Sequence, residues 1–151
     1  PVFVRAGALL PTRTLASSRS VTADPLVWVV WIGSVASMEG AGLLYEDAGD
    51  GFSYQDSPSP SEEPTGWATT AASLSMADSK IDVRLFGTRG SYAGQPFDRE
   101  VVLQLRGIPA GGRSSVVVNG LPAEAGGTQG SWVDPVGAVT VRLGRRGIRE
   151  N

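Results

Sequence analysis

Three carboxylates, Glu46, Asp47 and Asp50, crowd into the stretch Leu44-Tyr45-Glu46-Asp47-Ala48-Gly49-Asp50-Gly51-Phe52-Ser53-Tyr54, and two chemistries are open to them. Asp47 and Asp50, helped by Glu46 and the carbonyls of a glycine-rich turn, are hard oxygen donors of the type calcium prefers. The spacing is not that of an EF-hand loop, and a dedicated calcium site gathers about six or more oxygens. The same Asp and Gly residues also serve a tight turn through their conformational preferences, and the pattern favours that reading. As an acid and base pair, Glu46 and Asp47 fail on geometry. Neighbours in a strand point to opposite faces, whereas a working carboxylate pair flanks one bond with about 5 to 9.5 Å between its members. Glu46 and Asp47 are therefore not a catalytic dyad, and the expectation is that the chain carries no catalytic residue and takes no cofactor.

What is missing narrows the chemistry further. The chain has no Cys and no His, which removes disulfides, thiol nucleophiles, thiolate metal sites and the usual general base of Ser and Cys hydrolases. Lys and Arg number 13 against 15 Asp and Glu, for a net charge of -2, and the arginines are scattered, so nucleic acid is not an expected partner. The longest apolar run, Pro25 to Ile32, is far short of the roughly 20 residues of a membrane-spanning helix and reads as a buried strand; no membrane partner is expected.

The chain has 4 tryptophans, and an indole face packs well on the apolar face of a pyranose. Trp28 and Trp31 have odd spacing in an apolar run, so they face opposite sides and belong to the core or to a domain interface. Trp67 and Trp132 lie in less apolar surroundings and are the candidates for a carbohydrate or protein contact, with packing the favoured role. Arg5 either pairs with a carboxylate outside the chain or lays its stem on apolar surface with its head in water. Arg145, Arg146 and Arg149 read as a short, solvated and frayed basic tail.

These residues must be held by an all-β scaffold. Gly 20 and Pro 10 punctuate many short apolar runs, and no helical period appears. Pieces at Val2 to Val4 and Ala8 to Leu10 flank a turn at Gly7, and Pro11 is expected to stop the second piece. Thr12 to Asp24 reads as a surface excursion. Leu26 to Ile32 should be a central strand covered on both faces. Leu43 to Tyr45 leads to the acidic tip, with Phe52 and Tyr54 sharing one face of the return strand. Residues 57–66 hold prolines, serines and Glu62-Glu63 and have the composition of an extended linker. Beyond them Ile81-Val83-Leu85, Val101-Leu103-Leu105 and Val139-Val141-Leu143 alternate with polar residues, the period of half-buried strands. Val116 to Val118 closes on Asn119-Gly120, a strong turn signal. The expectation is an antiparallel β-sandwich of two small β units, 1–56 and 67–151, joined by 57–66. The chain opens at Pro1 inside an apparent strand, which reads as a piece of a longer protein.

Two phrases give this scaffold a family likeness. Pro1-Val2-Phe3-Val4-Arg5-Ala6-Gly7-Ala8-Leu9-Leu10-Pro11, then the apolar strand, then Leu44 to Tyr54, resemble in order and spacing the segments PVFVRAGAIIP and LYEDDGxSxxY that follow the catalytic barrel in family-31 glycoside hydrolases, the α-glucosidase and α-xylosidase group. Arg89-Gly90-Ser91-Tyr92-Ala93-Gly94-Gln95-Pro96-Phe97-Asp98-Arg99 and the turn at Val116 to Gly120 are similar to that family's distal C-terminal domain. The departures are Ala48 where a second acidic residue is usual, the long Thr12 to Asp24 loop and a weak match after Gly120. The resemblance implies that residues 1–56 belong to a proximal and 67–151 to a distal C-terminal β-sandwich domain of an α-glucosidase-type enzyme. Its partner would be the parent's (β/α)8 barrel, which carries the carboxylates of a retaining mechanism and meets the carbohydrate substrate. This chain would be non-catalytic, packing on the barrel and stabilising it, and would expose apolar surface once separated from it. The alternatives are a stand-alone carbohydrate-binding or protein-interaction sandwich, and a calcium-dependent module.

Overall fold

A computed structural model describes residues 1–13, 25–49, 52, 63–78, 80–108, 117–118, 121–122, 131–133 and 138–149. Along the chain run β1 (Leu9–Arg13), β2 (Leu26–Trp31), β3 (Met38–Asp47), β4 (Trp67–Ala77), β5 (Lys80–Leu85), β6 (Arg89–Ser91), β7 (Asp98–Arg106), β8 (Val117–Val118), β9 (Leu121–Pro122), β10 (Ser131–Val133) and β11 (Val139–Gly147), with no helix among the described residues. A five-stranded sheet has the order β1-β2-β7-β11-β10, a second has β3-β4-β5 with β6 also on β4, and β8 and β9 form a ribbon. The all-β, sandwich-like expectation holds.

One pairing departs from a purely antiparallel sandwich, since β2 and β7 run parallel, from Leu26 opposite Val101 to Trp31 opposite Arg106. Parallel neighbours need a long crossover. Here the connection from Ile32 to Phe97 carries all of the second sheet, β3 to β6.

Alternation on the strands builds one core between the sheets. Leu26, Trp28 and Val30 of β2, Val101 and Leu103 of β7, and Val139 and Val141 of β11 meet Ala72 and Leu74 of β4, with Leu44, Met76, Ile81 and Val83 packed around them. Trp28 and Val30 are fully buried. Cover on both faces of β2 is only partial: on the face opposite Trp28, Val29 is buried, whereas Val27 and Trp31 are partly exposed.

Glycines let the two sheets close at one side. Gly42 turns its inner face to the Leu9 carbonyl, and a Cβ there would lie 2.9 Å from Cζ3 of Trp28; a Cβ on Gly40 would collide with the Gly7 carbonyl. Gly7 itself has φ of 84°, a left-handed conformation that suits the turn before β1.

Several expectations need correction. Strands from both sides of 57–66 share both sheets, β2 with β7 and β3 with β4, so that segment does not divide the hydrogen bonding into two units. Pro11 does not end its strand: β1 continues to Arg13 with Pro11 opposite Trp28. This is tolerated because β1 lies at the sheet edge, where a missing N–H disturbs the ladder least. The partner of β3 is β4, from Met38 opposite Met76 to Asp47 opposite Trp67. The return strand read at Phe52 and Tyr54 falls largely outside the described residues, as do residues 14–24 of the expected loop and 57–62 of the expected linker. The basic tail is ordered: β11 runs through Arg145 and Arg146 with a bulge between Arg142 and Gly144, Arg145 pairs with Asp98 at 2.7 Å, and Arg149 pairs with Glu63 at 2.9 Å.

Candidate functional site

The acidic tip lies where β3 ends, and alternation along β3 sends its two carboxylates to opposite faces of the sheet. Glu46 continues the inward row of Leu44 and Gly42, and Asp47 the outward row of Leu43 and Tyr45. Glu46 accepts two hydrogen bonds from Arg99, Nη1 to Oε1 at 2.9 Å and Nη2 to Oε2 at 3.0 Å. Both side chains are buried, with 5% of Arg99 and 12% of Glu46 exposed. Arg99 is the second residue of β7 and lies opposite Arg146 of β11.

Tyr92 packs beside this pair. Burial pushes its phenol above the ordinary value, the Glu46 charge adds to that, and Arg99 works against it. Gln95 Nε2 and Arg99 Nε are buried and lack hydrogen-bond partners among the described residues. Glu46 comes from the first family-like phrase, and Tyr92, Gln95 and Arg99 from the second, so the fold brings the two phrases together. A bidentate Arg–carboxylate pair at this depth fixes geometry, with both carboxylate oxygens engaged.

Asp47 has a different task. Its Oδ1 accepts the Gly49 N–H at 2.9 Å, the bond of a side chain that closes its own turn, and Gly49 has φ of 70°. The other calcium candidate, Asp50, lies outside the described residues. Among the described residues no group of three or more Asp and Glu is placed to hold a metal ion.

The tryptophans separate into three settings. Trp28 is core, and Trp31 lies partly exposed on the opposite face of β2 with the Arg106 guanidinium 5.5 Å from its ring centroid. Trp67 opens β4 and stacks on Tyr45, with 5.8 Å between centroids and 26° between ring planes. Trp132 lies on β10 opposite Thr140, and only its backbone is described. Arg5 is exposed in the irregular segment ahead of β1.

This fold resembles part of a solved glycoside hydrolase. The neighbour is a family-31 dextranase from Flavobacterium johnsoniae, solved in complex with isomaltotriose. The match has a TM-score of 0.69 at 16% sequence identity and covers 95% of this chain and 18% of the dextranase. This chain thus corresponds to under a fifth of that enzyme's length. No protein-family model matches the sequence, and no curated protein matches it. The likeness agrees with the resemblance carried by the two phrases: a β-sandwich region of the kind found in family-31 enzymes.

Sequence reasoning missed the Glu46–Arg99 pair and the part played by Tyr45. The first was findable, since both residues sit in the phrases that carry the resemblance and each is the charged member of an otherwise uncharged strand row. The second required knowing that Trp67 begins the strand beside β3.

Proposed function

We propose that this chain is a non-catalytic β-sandwich region of an α-glucosidase-type glycoside hydrolase, and that it packs on the catalytic (β/α)8 barrel and stabilises it. The observation that carries the reading is the fold match, which takes in nearly all of this chain and a small share of a family-31 enzyme. Chemistry in the parent would reside in the remainder, with two carboxylates working through a covalent glycosyl intermediate on α-linked glucosides. The carboxylates at the acidic tip suit a scaffold, since Glu46 is spent on Arg99 and Asp47 on its own turn.

Exposed apolar side chains supply the docking surface. Val2 is 93% exposed and Phe3 89%, at the end of the chain that leads into β1. Isolated apolar residues on a surface are ordinary, but two large ones side by side at that level fit a contact with another part of the parent.

The test is hydrolysis of a nitrophenyl α-glucoside by this chain alone and by a longer polypeptide that adds the preceding coding sequence. Turnover by the longer polypeptide only supports the reading. Turnover by neither, or by this chain alone, rejects it.

A further inference from the structure

An open edge runs along β5. The strand ends the path β3-β4-β5 of the second sheet, and among the described residues its backbone pairs only with β4. The Phe86 N–H reaches the Ala71 carbonyl at 3.0 Å, so by alternation the backbone groups of Arg84 and Asp82 also point to β4, and those of Ile81, Val83 and Leu85 point outward. Other edges are less open. Pro11 of β1 has no N–H, the Gly7 and Leu9 carbonyls lie against β3 at Gly40 and Gly42, and Ser91 of β6 gives its N–H to Pro64 and takes that of Gly66. β5 carries neither proline nor glycine, and its register with β4 is unbroken. Its side chains Ile81, Val83 and Leu85 pack on the core yet stay partly exposed, so the core is thinly covered along this edge.

We propose that β5 pairs antiparallel with β5 of a second copy of this chain, about a two-fold axis at Val83. The outward groups allow only registers in which Ile81, Val83 and Leu85 meet one another, and the charges choose between these. Centring the pair on Asp82 sets Asp82 against Asp82 and Lys80 against Arg84. Centring it on Arg84 sets Arg84 against Arg84. Centring it on Val83 sets Asp82 against Arg84 of the second copy, in the closer, non-hydrogen-bonded type of pair, and Lys80 against Phe86. Phe86 is 45% exposed and offers the ammonium a ring face. On the core side Val83 then meets Val83 and Ile81 meets Leu85, so each copy covers the other's apolar rim.

Charges on an edge strand ordinarily keep other strands away. Here one register turns all of them into matching pairs, and a second copy supplies the required order of signs by symmetry alone. The Arg84–Asp82 pair within the strand, at 3.2 Å, is no obstacle, because its side chains are 73% and 40% exposed and such pairs contribute little. The inference rests on this edge and not on the proposed scaffold role, and the two fail in different experiments.

The experiment is sedimentation velocity of the full chain from micromolar to near-millimolar concentration, where a monomer–dimer equilibrium is expected. Asp82→Arg or Arg84→Asp sets like charges against each other and should weaken dimerisation about tenfold, while Asp82→Arg/Arg84→Asp should return it to within about threefold of the parent chain. An equimolar mixture of the two single variants should form a heterodimer, since every cross-strand charge pair is then of opposite sign, a rescue that misfolded variants would not show. Without any variant, amide exchange followed by NMR should slow at Val83 and Leu85 as concentration rises. A monomer at every concentration overturns the proposal. So does a dimer that both single variants form as tightly as the parent chain, a mixture of them that stays monomeric, or exchange at Val83 and Leu85 that is independent of concentration.

Discussion

Arg99 grips Glu46 with both terminal nitrogens, at 2.9 and 3.0 Å, and so ties the first strand of the second sheet to β7 of the five-stranded sheet across 53 positions of sequence. The pair is a cross-brace between the two layers of the sandwich, made from one residue of each family-like phrase.

Breaking the brace from either side leaves a buried charge without its partner. Arg99→Ala and Glu46→Ala are each expected to lower stability by about 3–5 kcal/mol in urea denaturation. A Glu46→Leu/Arg99→Met double variant, which removes both charges and keeps the volume, should lose clearly less than either single variant. Equal losses in all three would mean that packing, not the ion pair, holds this corner.

Tyr92 makes the alkaline limb of stability informative. Its phenol is raised above 10.0, first by burial and then by Glu46. Between the unfolded value near 10 and the raised folded value, the native state therefore holds more protons than the unfolded state, and stability falls as pH rises. The contribution is fully present below pH about 10 and is lost above it. Thermal melts of Tyr92→Phe should show a shallower decline above pH about 10 than the parent chain; identical slopes would contradict the burial of this phenol.

Gly42 marks the closest approach of the sheets. Gly42→Ala would press a methyl group against the Leu9 carbonyl and the Trp28 ring. A loss of about 1–3 kcal/mol is expected from such overpacking. Ala41→Ser, one residue along on the exposed face, should stay within about 0.5 kcal/mol of the parent. Equal melting temperatures for the two variants would place the sheets further apart than described.

Among the described residues Trp28 is the largest fully buried side chain, and its indole Nε1 lacks a hydrogen-bond partner there. Trp28→Ala is expected to cost about 3–5 kcal/mol through the cavity it leaves. Trp28→Phe, which retains an aromatic ring and removes an unpaired donor, should cost well under half as much, measured in the same urea series.

Much of this architecture could be read from the residues. The strands β5, β7 and β11 announce themselves through β-branched and leucine side chains at period two, β2 through an unbroken apolar run, and each forms where those patterns place it. The Asn119-Gly120 signal is matched by Val118 pairing with Leu121 across a two-residue gap, although those two residues lie outside the described set. The longest strand, β4, was not legible. Its inward positions include Ala68 and Ala72 and its outward ones Thr69, Ala71 and Ser73, so small residues on both faces erase the contrast that marks a strand. Those small side chains suit a strand that lies between β3 and β5 in its sheet. The boundary at 57–66 rests on composition, and with no strand legible at Trp67 nothing in the sequence carries β3 across it. The parallel β2–β7 pair was equally hidden, because periodicity gives a strand's faces and not its neighbours.

The most direct test of the proposed scaffold role is the half-life of glycosidase activity at elevated temperature, measured on the proposed barrel-containing parent with and without this chain. Removing the chain is expected to shorten the half-life at least severalfold, and Arg99→Ala in the intact protein to move it the same way. A barrel that keeps the same activity and half-life without the chain would contradict it.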